Sequence, residues 1–352
     1  MTTVMVTGRT SPGRSLDAVV RSVASLRAVA LLRALMGVVV IRHLWPDVRA
    51  SVLPVERFHV PWWPWLPVPS PGAYRVLLWI GVVAGLAMLA GVGARAATAT
   101  ALAVVAYLLF VDMTGFAHNR GFLVWVLFGL ALLPNRPVGA LWPVVLLRVV
   151  VSTVYLTSGL TKLANPDWSS GLVLWDRMTR NADRIPFDGW VHDLLTSRAF
   201  HRALSPSAIA VELFLGVGLW FRRTRLAAVW LAIAFHGSIE VAASVQTFSY
   251  TAIAALLLWV TPAERQRELR GGSERLRRTV RRLDWLRRFR VGDDRPAGVA
   301  GEPVILLDRD GTERRGRDAA LTALSRLPLL FPLVAPLLAI HRLRIATRDA
   351  RR

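Results

Sequence analysis

The stretch LWPVVLLRVVVSTVYLTSGLTKL, residues 141–163, decides the fold class. It is 23 residues long and holds two charges, Arg148 and Lys162. A bilayer core is crossed by about 20 helical residues, so this run predicts a membrane helix. Working outward, further apolar runs cover residues 24–45, 73–93, 96–112, 118–134, 205–221, 226–246 and 248–262. The expectation is an all-α integral membrane protein of about eight transmembrane helices, with a small cytoplasmic C-terminal extension. Its parts are a basic cytoplasmic segment at 1–23, a transmembrane domain at 24–262, a basic juxtamembrane amphipathic helix at 263–290 and a small C-terminal region at 291–352, in which residues 303–311 read as a strand and turn.

Composition agrees. Hydrophobic residues make up 54 % of the 352 positions, yet the net charge is +21. Both are compatible only if the charges are segregated from the apolar runs. They gather in short turns and in the tail, where 22 Arg face 12 acidic residues after position 262. The partner of such a distribution is the lipid bilayer, with anionic headgroups at the basic tail, rather than nucleic acid. Residues 264–290 hold eleven Arg with Leu269, Leu276, Val280, Leu283, Trp285 and Leu286 interspersed, the pattern of a surface-lying helix. Cysteine is absent, which excludes disulfides and thiolate chemistry. No removable signal peptide is read in the polar residues 1–23, so the first apolar helix is expected to direct insertion.

Ionisable groups inside apolar helices are costly and face a partner or a cavity. Here they are Arg33, Arg42, Asp112, Arg148, Lys162, Glu212, His236 and Glu240, with His118 and Asn119 at the mouth of the fourth run. Lys162 is the only lysine among 44 basic residues. Arginine stays charged in proteins, whereas a desolvated lysine can lose its proton and act as a base. An interfacial anchor is the competing reading of the same position. Tyr155, Ser158, Gly159 and Lys162 are spaced i, i+3, i+4 and i+7, one stripe of a helix. Tyr155 and Ser158 bring hydrogen-bonding groups, and Gly159 leaves room for a neighbouring helix or a flat ligand. Asn165-Pro166 ends the helix, and Asp167 is placed to pair with Lys162 or to cap the next turn. His236 and Glu240 share a helix face and, with Glu212, are expected to form a buried polar cluster. No metal is assigned, because a metal site needs three or more convergent ligands. The loop at 164–204 is long enough for short helices.

The segment YLTSGLTKLANPDWSSG, residues 155–171, resembles the signature of the HTTM superfamily, membrane domains related to vitamin K-dependent gamma-carboxylase. Phe116-Ala-His118-Asn119 and the pair Glu212-Leu-Phe with Ala234-Phe-His236 resemble two further family segments, so the likeness runs over about 24–262. It implies that Lys162 is a base toward a reduced quinone, with His118 as its partner. Tyr155, Ser158, Gly159, Asn119, His236 and Glu240 would line the binding site. In the carboxylases, oxygenation of the deprotonated quinol yields an epoxide and a strong base that drives glutamate carboxylation. That last activity is not carried over, because residues 263–352 are too short for the large domain that follows the membrane part in those enzymes. A second likeness, VILLDRDG at 304–311 followed by Arg317-Asp-Ala-Ala and a Leu/Pro-rich end, is to the C-terminal part of the thioredoxin-like DCC family, here without any cysteine. A transporter using the same polar groups, or an accessory protein that matures or inserts an unidentified protein partner, remains open beside the enzyme.

The distribution of positive charge places both termini in the cytoplasm. Reporter fusions after Arg222 and after residue 262 are expected to read inside, and fusions near 185 and 247 outside. One reporter on the wrong side breaks the eight-helix arrangement.

Overall fold

The structure is a computed structural model and describes residues 22–56, 60–113, 116–185, 187–243, 245, 247–260, 266–292 and 303–349. The basic segment before residue 22, His59, Gln246 and residues 293–302 lie outside the described residues.

Each of the eight apolar runs is helical. The long helices are α1 (Arg27–Val48), α2 (Pro71–Ala90), α3 (Ala94–Phe110), α4 (His118–Leu132) and α5 (Trp142–Ala164). Three short helices follow: α6 (Pro166–Ser169), α7 (Leu172–Thr179) and α8 (Trp190–Thr196). They are succeeded by α9 (Arg198–Gly218), α10 (Arg225–Ala243) and α11 (Thr247–Ala255), the last tightening into a 3₁₀ turn at Leu256–Trp259. Among the described residues, α1, α2 and α5 are long and apolar enough to cross a membrane, while α3, α4 and Thr247–Trp259 are shorter apolar helices.

The chain divides into two compact units, Met1–Val217 with Ile239–Trp259, and Gly218–Ser238 with Val260–Arg352. In the first, α1 packs on α2, α2 on α3, α3 on α4, and α4 on α5, while α11 lies against α1 and α4. Local chemistry sets the helix ends. Ser70 caps α2, accepting from the Ala73 N–H at 3.3 Å with Pro71 behind it, and Gly91 ends that helix at φ 74°. Close approach of α1 and α2 rests on two glycines: a Cβ on Gly37 would lie 2.4 Å from the Gly85 carbonyl oxygen. Outward-facing Val76, Trp79, Val83 and Leu86 of α2 are exposed apolar side chains, as a lipid-facing helix requires. A short antiparallel pair, β1 (Val23–Ser25) with β2 (Val138–Ala140), joins the start of α1 to the turn before α5.

Two arginines of this unit donate to carbonyls at helix ends. Arg33, 3 % exposed, donates to the carbonyls of Leu130 at 2.8 Å, Leu133 and Pro134, at the C-terminal end of α4. Arg148 donates twice to the Leu258 carbonyl, at 2.9 and 2.7 Å, past the end of α11. Arg42 lies over the Tyr250 ring at 4.8 Å.

The second unit corrects two expectations. It is not all-α, and residues 264–290 are not one amphipathic helix. They form β3 (Arg267–Arg270), α12 (Glu274–Leu283) and β4 (Phe289–Val291). Gly271 and Gly272, at φ 64° and 71°, break the chain after β3, and Ser273 caps α12 through the Leu276 N–H at 3.3 Å. The Asp284 carboxylate then accepts the N–H groups of Arg288 and Phe289, both at 2.8 Å, and starts β4. The many arginines mask an alternation that buries Leu269 and Phe289 on one side of a sheet. The strand and turn expected at 303–311 are present as β5 (Ile305–Leu307), leading into β6 (Glu313–Arg315), and α13 (Gly316–Leu324) and α14 (Phe331–Asp349) follow. The sheet order is β4-β3-β5-β6, with β3 and β4 parallel and the rest antiparallel. Its core is Leu269, Val280, Phe289, Leu306, Ala319, Ala323 and Leu327. Asp318 ties this core to α14, accepting from Arg342 at 3.0 Å and Arg314 at 3.1 Å. Burial pushes its carboxyl up, but those two hydrogen bonds outweigh burial and hold it below its ordinary range.

Gly37→Ala places a methyl group against backbone, and overpacking of this kind costs about 1–3 kcal/mol. The variant is expected to unfold at lower temperature in detergent. Gly72→Ala, with nothing within 4 Å of the added Cβ, is expected to match the parent.

Candidate functional site

The site is built where α5 meets α9. Asn165 closes α5 in extended conformation, and its side chain accepts from the Asp167 N–H at 2.9 Å, starting α6 at once. The loop at 164–204 is thus folded back as the expected short helices. Ser205 donates to the Trp168 carbonyl, and Gly171, at φ 78°, presses so close to the His201 backbone that a Cβ would lie 2.5 Å away. These contacts fix α6 on α9. Further along, Gly159 receives Leu213 of α9, and Gly216 receives Leu156 of α5. The room that the sequence leaves at Gly159 is therefore filled by a helix rather than by a flat ligand.

This crossing brings Glu212 to Lys162. The ammonium donates to both carboxylate oxygens, to Oε2 at 2.6 Å, and to Ser158 Oγ at 2.7 Å. Ser158 Oγ in turn donates to Glu212 Oε1 at 3.2 Å, closing a three-membered network. The side chains of Lys162 and Glu212 are 17 % and 3 % exposed. Above the ammonium lies the Trp168 ring, 4.9 Å from Nζ to its centroid, with Arg177 5.8 Å from the same ring. Tyr155, one turn before Ser158, is fully buried. The amine is thus enclosed by a carboxylate, a hydroxyl and an aromatic face.

The other expected site residues are placed differently. His118 opens α4, is exposed and stands edge-on to Phe116 at 5.5 Å. It takes no part in the interactions of Lys162, which run to α5, α6 and α9. Asn119 directs its side-chain oxygen to the Arg120 N–H at 3.0 Å. Asp167 is exposed in the first turn of α6 and does not pair with Lys162. His236 is buried on α10 beside the Phe235 ring at 5.4 Å, and Glu240, half-buried, follows one turn later. Glu212, which the sequence groups with these two, is the partner of the lysine. A signal for it exists in the sequence: it is the only acid in the apolar run at 205–221, and a lone carboxylate there calls for a cation.

The apolar, outward-facing helices and their internally satisfied ends define a helical membrane protein. The HTTM domain model matches residues 134–263. Lys162, Ser158, Glu212, His236 and Glu240 fall inside the match, whereas His118 and Asn119 precede it. Comparison with curated proteins returns no match, and neither does comparison with solved structures.

Glu212→Gln leaves the ammonium without its counter-charge. Breaking a buried pair costs about 3–5 kcal/mol, and the partial exposure of Lys162 places this variant near the lower bound. The double variant Lys162→Met with Glu212→Leu is expected to recover most of that loss, read as unfolding temperature in detergent. Equal loss in both would show that the pair does not hold α5 to α9.

Proposed function

We propose that this HTTM-type membrane protein is an enzyme acting on a bilayer-soluble substrate such as a quinol, with Lys162 as base. The observation that carries the reading is the enclosed contact of the sole lysine with Glu212, Ser158 and the Trp168 ring. An arginine would satisfy Glu212 equally well as a structural partner, but it cannot release its proton. In the ion pair, the ammonium can pass a proton to Glu212, giving an amine and a carboxylic acid. A substrate that displaces water favours this neutral form, because charges lose their hydration. The amine then takes the proton of a quinol hydroxyl, leaving a quinolate beside an ammonium, and Glu212 returns its proton to solvent. Ser158 Oγ, bonded to both groups, orients the amine. The Trp168 face suits a planar aromatic substrate.

Eight membrane crossings with both termini cytoplasmic belong to the same proposal, supported by the charge of the turns. So does attraction of the basic tail to anionic lipids. The parallel β3–α12–β4 unit followed by a hairpin supports kinship of the C-terminal unit with thioredoxin-like DCC proteins.

Lys162→Arg keeps charge and length and is expected to retain the fold. Proteoliposomes holding the variant are expected to consume a menaquinol-type quinol, with dioxygen supplied as the oxidant of the quinolate, at least about 10²-fold more slowly than the parent, the usual weight of a positioned base. Quinol absorbance reports the rate. Parent-like turnover in the variant removes the base role.

A further inference from the structure

The C-terminal unit gathers four arginines at one end of its sheet. Arg267 stands at the start of β3, Arg288 just before β4, Arg309 in the turn between β5 and β6, and Arg326 after α13. Arg267 is 8 % exposed and the other three are half-buried. Among the described residues two carboxylates face them, and both are already engaged. Asp308 Oδ1 lies 2.9 Å from Arg267 Nε and also accepts the Arg309 N–H at 2.8 Å. Asp284 spends its two oxygens on the N–H groups of Arg288 and Phe289. Arg288 reaches the Arg326 carbonyl at 3.2 Å. The buried Nε atoms of Arg288, Arg309 and Arg326 have no hydrogen-bond partner. Four guanidinium groups so held cost self-repulsion: burial first, and then Arg309, Arg267 and Arg326, bring the Arg288 guanidinium down to about 10.

A fold does not gather like charges this closely for stability, since each cation loses hydration and repels the next. The cost is recovered when a compact polyanion enters. Planar guanidinium forks match the oxygens of a phosphate in paired hydrogen bonds, and such charge-assisted bonds are the strong ones. We infer that the Arg267, Arg288, Arg309 and Arg326 cluster is a binding site for a phosphate monoester or inorganic phosphate group. The site belongs to the second unit alone and does not depend on the quinol reading. A soluble phosphate compound and a phosphatidic-acid headgroup present the same chemistry, so the experiment separates them.

The full chain in neutral detergent and chloride buffer is titrated calorimetrically with inorganic phosphate. In parallel it is reconstituted in phosphatidylcholine nanodiscs with and without phosphatidic acid, and lipid retention is read by native mass spectrometry. The test variant is Arg309→Gln with Arg326→Gln. The control is Arg278→Gln with Arg282→Gln, two exposed arginines on α12 that remove the same charge. Saturable binding weakened at least about 10-fold in the test variant and unchanged in the control supports the site, since this removes two charge-assisted partners. Phosphate binding assigns a soluble ligand, and selective retention of phosphatidic acid assigns the headgroup. Arg309→Gln alone, in a surface turn, keeps the comparison valid if the double variant unfolds. Equal weakening in test and control reduces the effect to net charge and overturns the proposal. So does no binding in either arm.

Discussion

An ammonium group among apolar helices must meet a negative charge, and the Lys162–Glu212 pair is the constraint on which the rest of the candidate site depends. The charge sits one turn from Ser158 and Gly159, so α9 has to cross α5 there for its carboxylate to reach. The crossing is permitted by absence of side chain at Gly159 on one helix and Gly216 on the other. It is then secured by Ser205 and Trp168, which draw the connecting short helices over the junction. Two chemically distinct demands, neutralising a charge and packing two backbones closely, are thus met by one geometry. This explains why a small polar network can persist in surroundings that penalise polar groups.

The same constraint governs the remaining charges of the helical unit. Water is unavailable inside a bilayer, so carbonyl groups left over at helix ends need donors from the protein itself. Arg33 and Arg148 supply them at the ends of α4 and α11. Their guanidinium groups donate to backbone carbonyls and serve architecture. Lys162 differs because it faces a group that can accept a proton. Within one unit, arginine holds helix ends and lysine faces an acid.

Much of this was legible in the residues themselves. Apolar runs long enough to be helices became helices, Asn165-Pro166 ended α5 at the expected place, and the strand and turn after Pro303 formed. Local chemistry decides each of these. Lys162 stood out by residue choice alone. Its partner did not, because a crossing between helices fifty positions apart is decided by packing. Helical spacing joins His236 to Glu240, but it says nothing about which neighbouring helix Glu212 meets. His118 was placed with Lys162 by likeness to a family segment, but the matched domain begins after it. At 264–290 the high arginine content imitates an amphipathic helix, and two adjacent glycines were the overlooked sign of a strand and a turn. The three-residue β1 and β2 strands are too short to carry a periodic signal.

Arg33 also sets a condition on biogenesis. Its carbonyl partner on Leu130 lies 97 positions further along the chain. Ribosomes add about 5–20 residues per second, so roughly 5–20 s separate synthesis of the guanidinium from synthesis of its acceptor. During that interval the guanidinium, in the second turn of α1, has water or lipid headgroups as its acceptors, which a long side chain near a helix end can reach. The first helix therefore makes its final contacts only after α4 has emerged.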